Sequence, residues 1–370
     1  MSDKNKVVLV TGASGAVGPR VVHALDQAGF RIRSFSFDAP ASGMFPQSVE
    51  VLIGDVTDQV AVQSAMQGVD AVVHMAALLH IVNPPPQLRE EYERVNIGGT
   101  ATVVEAAIKA GVKRVVLFST IAVYGPSDGR VLNEMSPTHP DTFYAQTKCA
   151  AEQIVLNAKG ANGQPLGAVL RLGAVYGSRI KGNYERLTRA LAGNRGAQHL
   201  LHGNLGTRNG GDGGKTENEG TRSQFLTKLG QAPSPTFPSG HVPHFPFVPV
   251  GNGLNRRTLV YDKDVGRAAV LAVSHPAAAG RVFNVTDGGF HTLNEIIGSI
   301  CSALGRKPPR LSLPVGPIRV VAGLIETGYR VMGIMAGNLG TRSQFLAKLG
   351  SCPQITGSCP LITPGYTGDH

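Results

Sequence analysis

The chain has 370 residues, 42% of them hydrophobic and 16% charged, with a formal net charge of +10, so one large or two coupled domains with a sizeable core are expected. The basic residues are scattered, aromatics make up 6% and tryptophan is absent, which argues against nucleic acid as the partner and for an anionic ligand in a basic cleft. No uncharged apolar run is long enough to span a bilayer, and the four cysteines show neither metal-ligand spacing nor a paired framework, so a cytoplasmic protein without a metal site is expected.

MSDKNK leads straight into a strand rather than a signal peptide. Residues 7–10 are apolar and β-branched and end in Thr11-Gly12-Ala13-Ser14-Gly15-Ala16-Val17-Gly18, after which Val21, Val22, Ala24 and Leu25 recur at helical spacing. The pattern reads as strand, tight turn and helix. Glycines 12, 15 and 18 let the backbone turn sharply, approach a pyrophosphate and pack helix on strand, while the helix N-terminus attracts phosphate. That makes Gly12, Ser14, Gly15, Ala16, Val17 and Gly18 candidates for binding a dinucleotide.

A second strand over residues 31–37 ends near Asp38, whose carboxylate could accept hydrogen bonds from an adenosine ribose and so favours NAD. Ser36 stands where the strand-end acid more usually falls, and Arg31 and Arg33 are close. NADP is therefore not excluded, and an ordinary turn aspartate reads nearly as well.

Further on, FYAQTK places Tyr144 and Lys148 four residues apart, on one face of a helix. A tyrosine that titrates near ~10 needs a fall of about three units, roughly 4 kcal/mol, to serve as a base at neutral pH. A neighbouring ammonium and an oxidised nicotinamide ring would supply it in a poorly solvated cleft. Spacing alone fits a chance surface pair equally well.

In chain order, TGASGAVG, GDVTD, HMAA, VNIGGT, VVLFSTIAVYG, YAQTK and VLRLGAVYG resemble the extended short-chain dehydrogenase/reductase family, and within it the NAD-dependent epimerase/dehydratases of the UDP-glucose 4-epimerase type. The resemblance covers residues 5–192 and resumes over 244–312. It implies that Asp55 and Val56 line an adenine pocket, that Ala76 and Ala77 flank the cofactor ribose, and that Asn96 organises the active-site helix region. It also implies that Ser119, Tyr144 and Lys148 meet the cofactor, and that Thr120, Tyr144 and Lys148 are catalytic, with Thr120 on the reacting sugar oxygen. Related dehydratases carry an Asp-Glu pair after this threonine; Ile121 and Ala122 here move no proton, which disfavours dehydration. By the same resemblance Arg257, and less strongly Asn183, would bind the substrate's nucleoside diphosphate, although Arg256 and Arg257 also read as a solvated turn. A homodimer is implied by resemblance only.

The fold expected is α/β: a doubly wound parallel Rossmann sheet of about seven strands over residues 1–177, with a smaller mixed α/β substrate lobe over 178–336 and parts of 258–290 returning to the first domain. Residues 193–242, rich in Gly, Asn, Ser, Thr and Pro, read as a flexible insertion. GNLGTR and TRSQFLTKLG within it recur joined as GNLGTRSQFLAKLG, so residues 337–370 read as an atypical tail, open to disorder, made from a duplicated element. Residues 315–336 read as an amphipathic helix.

The function expected is NAD-dependent 4-epimerisation or 4-ketoreduction of a nucleotide sugar (UDP-hexose) by tyrosine-assisted hydride transfer. Two alternatives stand beside it: a 3β-hydroxysteroid-dehydrogenase-like oxidoreductase, and a non-catalytic dinucleotide-binding protein inactivated by its insertions.

Overall fold

A computed structural model describes residues 5–79, 84–177, 180, 183–201, 249, 251–310, 312–314, 316 and 354–355, with backbone alone for 193–201 and 354–355. The described chain divides into two units.

The first unit comprises 1–175, 258–290 and 351–370. Its strands are β1 (Val7–Thr11), β2 (Arg31–Ser36), β3 (Glu50–Ile53), β4 (Ala71–His74), β5 (Arg114–Thr120), β6 (Val131–Leu132) and β7 (Gly167–Leu172). Later come β8, which opens at Ala174, β10 (Leu259–Tyr261), β11 (Arg281–Val285) and β13 (Gln354–Ile355). Seven of them form one sheet in the order β11-β7-β5-β4-β1-β2-β3, every pairing parallel. The order reverses direction between β1 and β4, and the clefts outside such reversals are where open α/β sheets bind ligands.

Helices cover both faces, which is why the central strands are Val-rich throughout instead of alternating with polar residues. Val8 and Val10 of β1 pack with Val21, Val22 and Leu25 of α1 (Gly18–Gln27) and with Val265, Ala268 and Ala269 of α7 (Asp262–Ser274). Leu9 points the other way, into a second cluster with Val62 of α2 (Gln59–Ala65), Val103 and Ala107 of α4 (Gly99–Lys109), and Ala151 and Val155 of α5 (Phe143–Asn157). All these side chains are buried, and each fully buried Val or Leu contributes roughly 1.5–3 kcal/mol. The helix entering α4 begins as α3 (Leu88–Tyr92) and widens into a π-turn over Glu93–Gly98, a rare geometry that frequently marks functional sites.

The second unit comprises 176–257 and 291–350. It holds α6 (Asn183–Leu201), the antiparallel pair β9 (Arg256–Arg257) and β12 (His291–Thr292), and α8 (Leu293–Ala303), which opens on a capping box between Thr292 and Glu295. The Arg306 guanidinium donates to the Leu191 carbonyl at 2.7 Å.

Two expectations change here. Helix α6 runs past residue 193, where a loop was expected to begin, because Leu, Arg, Ala and Gln on either side outweigh the cost of its glycines. Within the tail, Gln354 and Ile355 pair in parallel with Val131 and Leu132 of β6, a ladder the turn-rich composition does not announce. The rest of the insertion and of the tail, and nearly all of 315–336, lie outside the described residues.

Candidate active site

The glycine turn sits at the end of β1. Gly12 has φ of 69°, and a Cβ there would lie 2.7 Å from the Ala76 nitrogen, so only glycine lets the β1 turn close against the segment after β4. A Cβ on Gly18 would meet the Ala13 carbonyl at 1.9 Å, which fixes how the first turn of α1 seats. The turn is tied by Gly12 N to Phe35 O at 2.8 Å and Gly15 N to Gly12 O at 3.1 Å. Helix α1 has no side-chain cap and no acid in its first turn, and Gly15 and Ala16 are exposed beside the partly exposed Ser14 and Val17. A bare, positively polarised helix end under a cradle that a side chain would fill fits a dinucleotide pyrophosphate.

Along the turn's flank, Ser36 ends β2 and its Oγ accepts from the Ser14 N–H at 3.1 Å. Asp38 lies exposed beyond the strand. Asp55 accepts from Thr57 N at 2.9 Å and sits 3.6 Å from the Arg94 guanidinium. Burial works against its ionisation, but the Thr57 hydrogen bonds and Arg94 outweigh that and hold the carboxyl below its ordinary value. Val56 turns its side chain into the core, which leaves its main chain for a ligand.

A buried relay then crosses the unit. Thr100 donates to the Asn96 carbonyl at 2.6 Å, so its oxygen must accept from His74 Nε2 at 3.0 Å. The imidazole therefore carries its proton on Nε2, and Nδ1 accepts from the Thr11 hydroxyl at 2.7 Å. Thr11 in turn accepts from Ala76 N at 3.3 Å. On the other side, the Asn96 amide clamps Leu78 at both backbone groups, 2.7 and 3.1 Å, and donates to Thr147 Oγ1 at 3.0 Å, which donates to the Tyr144 carbonyl at 3.0 Å. Asn96 and Ala76 thus belong to one framework running from the glycine turn to α5, and Ala77 lies partly buried between Ala76 and Leu78. Burial, and second the charge of Lys148, pull His74 down to about 3, so it stays neutral.

Tyr144 and Lys148 lie on α5, whose N-cap Thr142 accepts from Ala145 N at 3.2 Å. Lys148 is 2% exposed; burial lowers it to about 8, with the Glu152 carboxylate working the other way. Burial pushes Tyr144 up to about 12, and Tyr92 adds to the rise. In the chain by itself the phenol thus holds its proton firmly; the expected fall concerned the phenol beside both the Lys148 ammonium and an oxidised nicotinamide ring. Glu152, one turn further and fully buried, is gripped by Arg171 at 2.6, 3.1 and 3.1 Å and accepts a short bond from Ser119. The Ser119 proton is therefore committed to the helix. Thr120, pointing the other way from β5, accepts from Ala122 N at 3.2 Å.

The substrate candidates fall in the second unit. Arg257 is in β9, in register with His291, and Asn183 is the exposed first residue of α6. Among the described residues no cluster of three or more His, Cys, Asp or Glu gathers as for a metal, and no helix is long and apolar enough to cross a membrane.

A family model, the NAD dependent epimerase/dehydratase family, matches residues 8–216. The chain belongs to that family. It is 26% identical over 321 residues, 86% of this chain and 78% of the relative, to N-acetyl-alpha-D-glucosaminyl-diphospho-ditrans,octacis-undecaprenol 4-epimerase of Escherichia coli O157:H7. It is also 30% identical over 217 residues, 53% of this chain and 58% of the relative, to 3 beta-hydroxysteroid dehydrogenase/Delta 5-->4-isomerase of Mycobacterium tuberculosis. Among solved structures, MoeE5 in complex with UDP-glucose and NAD matches with a TM-score of 0.60 and 26% identity, over 83% of this chain and 84% of that one.

This epimerase/dehydratase family member is therefore an enzyme, and its framework includes residues that motif reading passed over. Glu152 repeats the four-residue step of Tyr144 and Lys148, so a charged stripe on an otherwise small and apolar helix face was the available signal. His74, Thr100 and Thr147 stand inside the segments HMAA, VNIGGT and YAQTK, but spacing along the chain gives no sign that the fold joins them.

Proposed function

We propose that the chain is an NAD-dependent nucleotide-sugar 4-epimerase or 4-ketoreductase working by tyrosine-assisted hydride transfer. The observation that carries it is the framework joining the glycine turn to α5, because it fixes Tyr144 and Lys148 relative to the dinucleotide cradle. The glycine turn, Asp55, the Val56 main chain, Ala76, Ala77 and Lys148 are the groups that would hold NAD, which when bound supplies a hydride acceptor or donor. Tyr144 would take the sugar hydroxyl proton or return it, with Thr120 donating to the same oxygen. The Lys148 ammonium, charged at neutral pH but close to titrating, favours the phenolate as the proton leaves. Buried Ile121 and its neighbour Ala122, on the turn after Thr120, offer no second proton carrier, so the reaction stops short of elimination. Arg257 and Asn183 are the side chains we assign to the diphosphate and nucleoside.

The steroid reading has its own support in the 30% identity to the mycobacterial enzyme. Purified protein incubated with UDP-hexoses, their N-acetyl forms, 4-keto sugars and 3β-hydroxysteroids separates the two. Interconversion of 4-epimers without added NADH supports epimerisation, and stoichiometric NADH consumption supports ketoreduction. Turnover of steroid alone would overturn the sugar assignment.

A further inference from the structure

We infer that Ser36, and not Asp38, governs how this chain reads the adenosine ribose, so that its site takes NADP within about tenfold of NAD. The inference rests on the dinucleotide reading of the glycine turn and concerns which side chain meets the ribose.

In doubly wound nucleotide folds the side chain ending the second strand meets the ribose: an acid accepts from the 2′-hydroxyl, and a nearby arginine accommodates a 2′-phosphate. Here that strand end is Ser36, 5% exposed and tied to the turn by Ser14 N, while its carbonyl accepts from Gly54 N at 2.9 Å. Its hydroxyl oxygen accepts from Ser14, so its proton remains for a ligand oxygen. A neutral donor suits a hydroxyl and a phosphate alike and repels neither.

The flanking charges leave that neutrality in place. Asp38 lies beyond the strand end with an exposed side chain, where water and salt screen its charge to an effect of a few-fold. Arg33 cannot turn to a phosphate: its Nε is paired with Glu50 at 2.8 Å, and its Nη1 donates to the Ala65 and Gln67 carbonyls at 2.9 and 2.6 Å. Phe37, 74% exposed, is apolar and indifferent to the 2′ substituent. Neither selective device is present at the strand end.

Calorimetric titration of the full chain with NAD and with NADP tests this, in wild type, Ser36→Asp, Ser36→Ala and Asp38→Asn. Wild type should bind the two within about tenfold, and Ser36→Asp should shift the ratio toward NAD by roughly thirtyfold or more. Ser36→Ala should weaken both without changing the ratio, and Asp38→Asn should move it less than about threefold. A wild-type preference for NAD above about a hundredfold that collapses in Asp38→Asn would overturn the inference. Binding of neither dinucleotide to wild type would instead refute the nucleotide reading itself.

Discussion

Replacing His74 with glutamine tests whether the relay between the glycine turn and α5 requires a neutral imidazole. In the fold this histidine titrates at about 3 against an ordinary 6.5, a drop of about 3.5 units or roughly 5 kcal/mol. Because the folded value is the lower one, the unfolded chain binds more protons between those two pH values. The contribution is fully present above pH ~6.5 and is lost as pH falls toward ~3. Integrated from pH 7 to pH 4.5, this one group removes about 2.5 kcal/mol from the wild type. His74→Gln does not titrate, but it replaces the bonds to Thr11 and Thr100 imperfectly, at a cost of about 1–3 kcal/mol at pH 7. Urea unfolding followed by far-ultraviolet circular dichroism, suited to a chain without tryptophan, should show the variant less stable at pH 7 and the gap closing by about 2.5 kcal/mol at pH 4.5. Other acid-titrating groups are common to both proteins and cancel. A gap constant to within ~0.5 kcal/mol across that range would refute the neutral-histidine relay.

Three further outcomes are expected. Lys148 is depressed from 10.5 to about 8, so it opposes folding by up to roughly 3 kcal/mol below pH 8 and stability should rise between the two values; Lys148→Met should match or exceed the wild-type melting temperature at pH 7 while losing turnover. Glu152→Gln leaves the buried Arg171 without its counter-charge and should cost about 3–5 kcal/mol in urea, most of it recovered in Glu152→Gln with Arg171→Met; equal losses in both would show that the pair's charge is not the issue. Gly12→Ala drives a Cβ into the Ala76 backbone at a positive φ, so it should abolish dinucleotide binding in calorimetry, and undiminished binding would contradict the close approach of the two turns.

The sheet was legible because each central strand is a β-branched run bounded by a turn, and α1 because its apolar spacing follows three glycines. The π-turn at Glu93–Gly98 was not legible, since widening by one residue leaves no mark in composition; its effect appears only where Asn96 reaches both Leu78 and Thr147. The Tyr144–Lys148 pair was visible as spacing, but not the rise of the phenol in the chain by itself, which depends on burial and on Tyr92, a residue some fifty positions earlier brought beside it by the fold. Ser119 and Thr120 are adjacent in sequence yet hydrogen-bond on opposite sides, Ser119 to Glu152 and Thr120 to the Ala122 N–H, because successive residues of a strand face opposite sides of the sheet. The run through residue 201 of α6 was hidden by glycines that helix formers around them override.

The central claim is that the Tyr144 phenol moves the proton in a reaction on a bound nucleotide sugar. Tyr144→Phe removes that single oxygen and keeps the ring, so it should lower turnover of the sugar identified in the substrate panel by roughly 10²–10⁴-fold while NAD affinity, read by calorimetry, changes less than about threefold. Turnover within about tenfold of wild type would contradict the account.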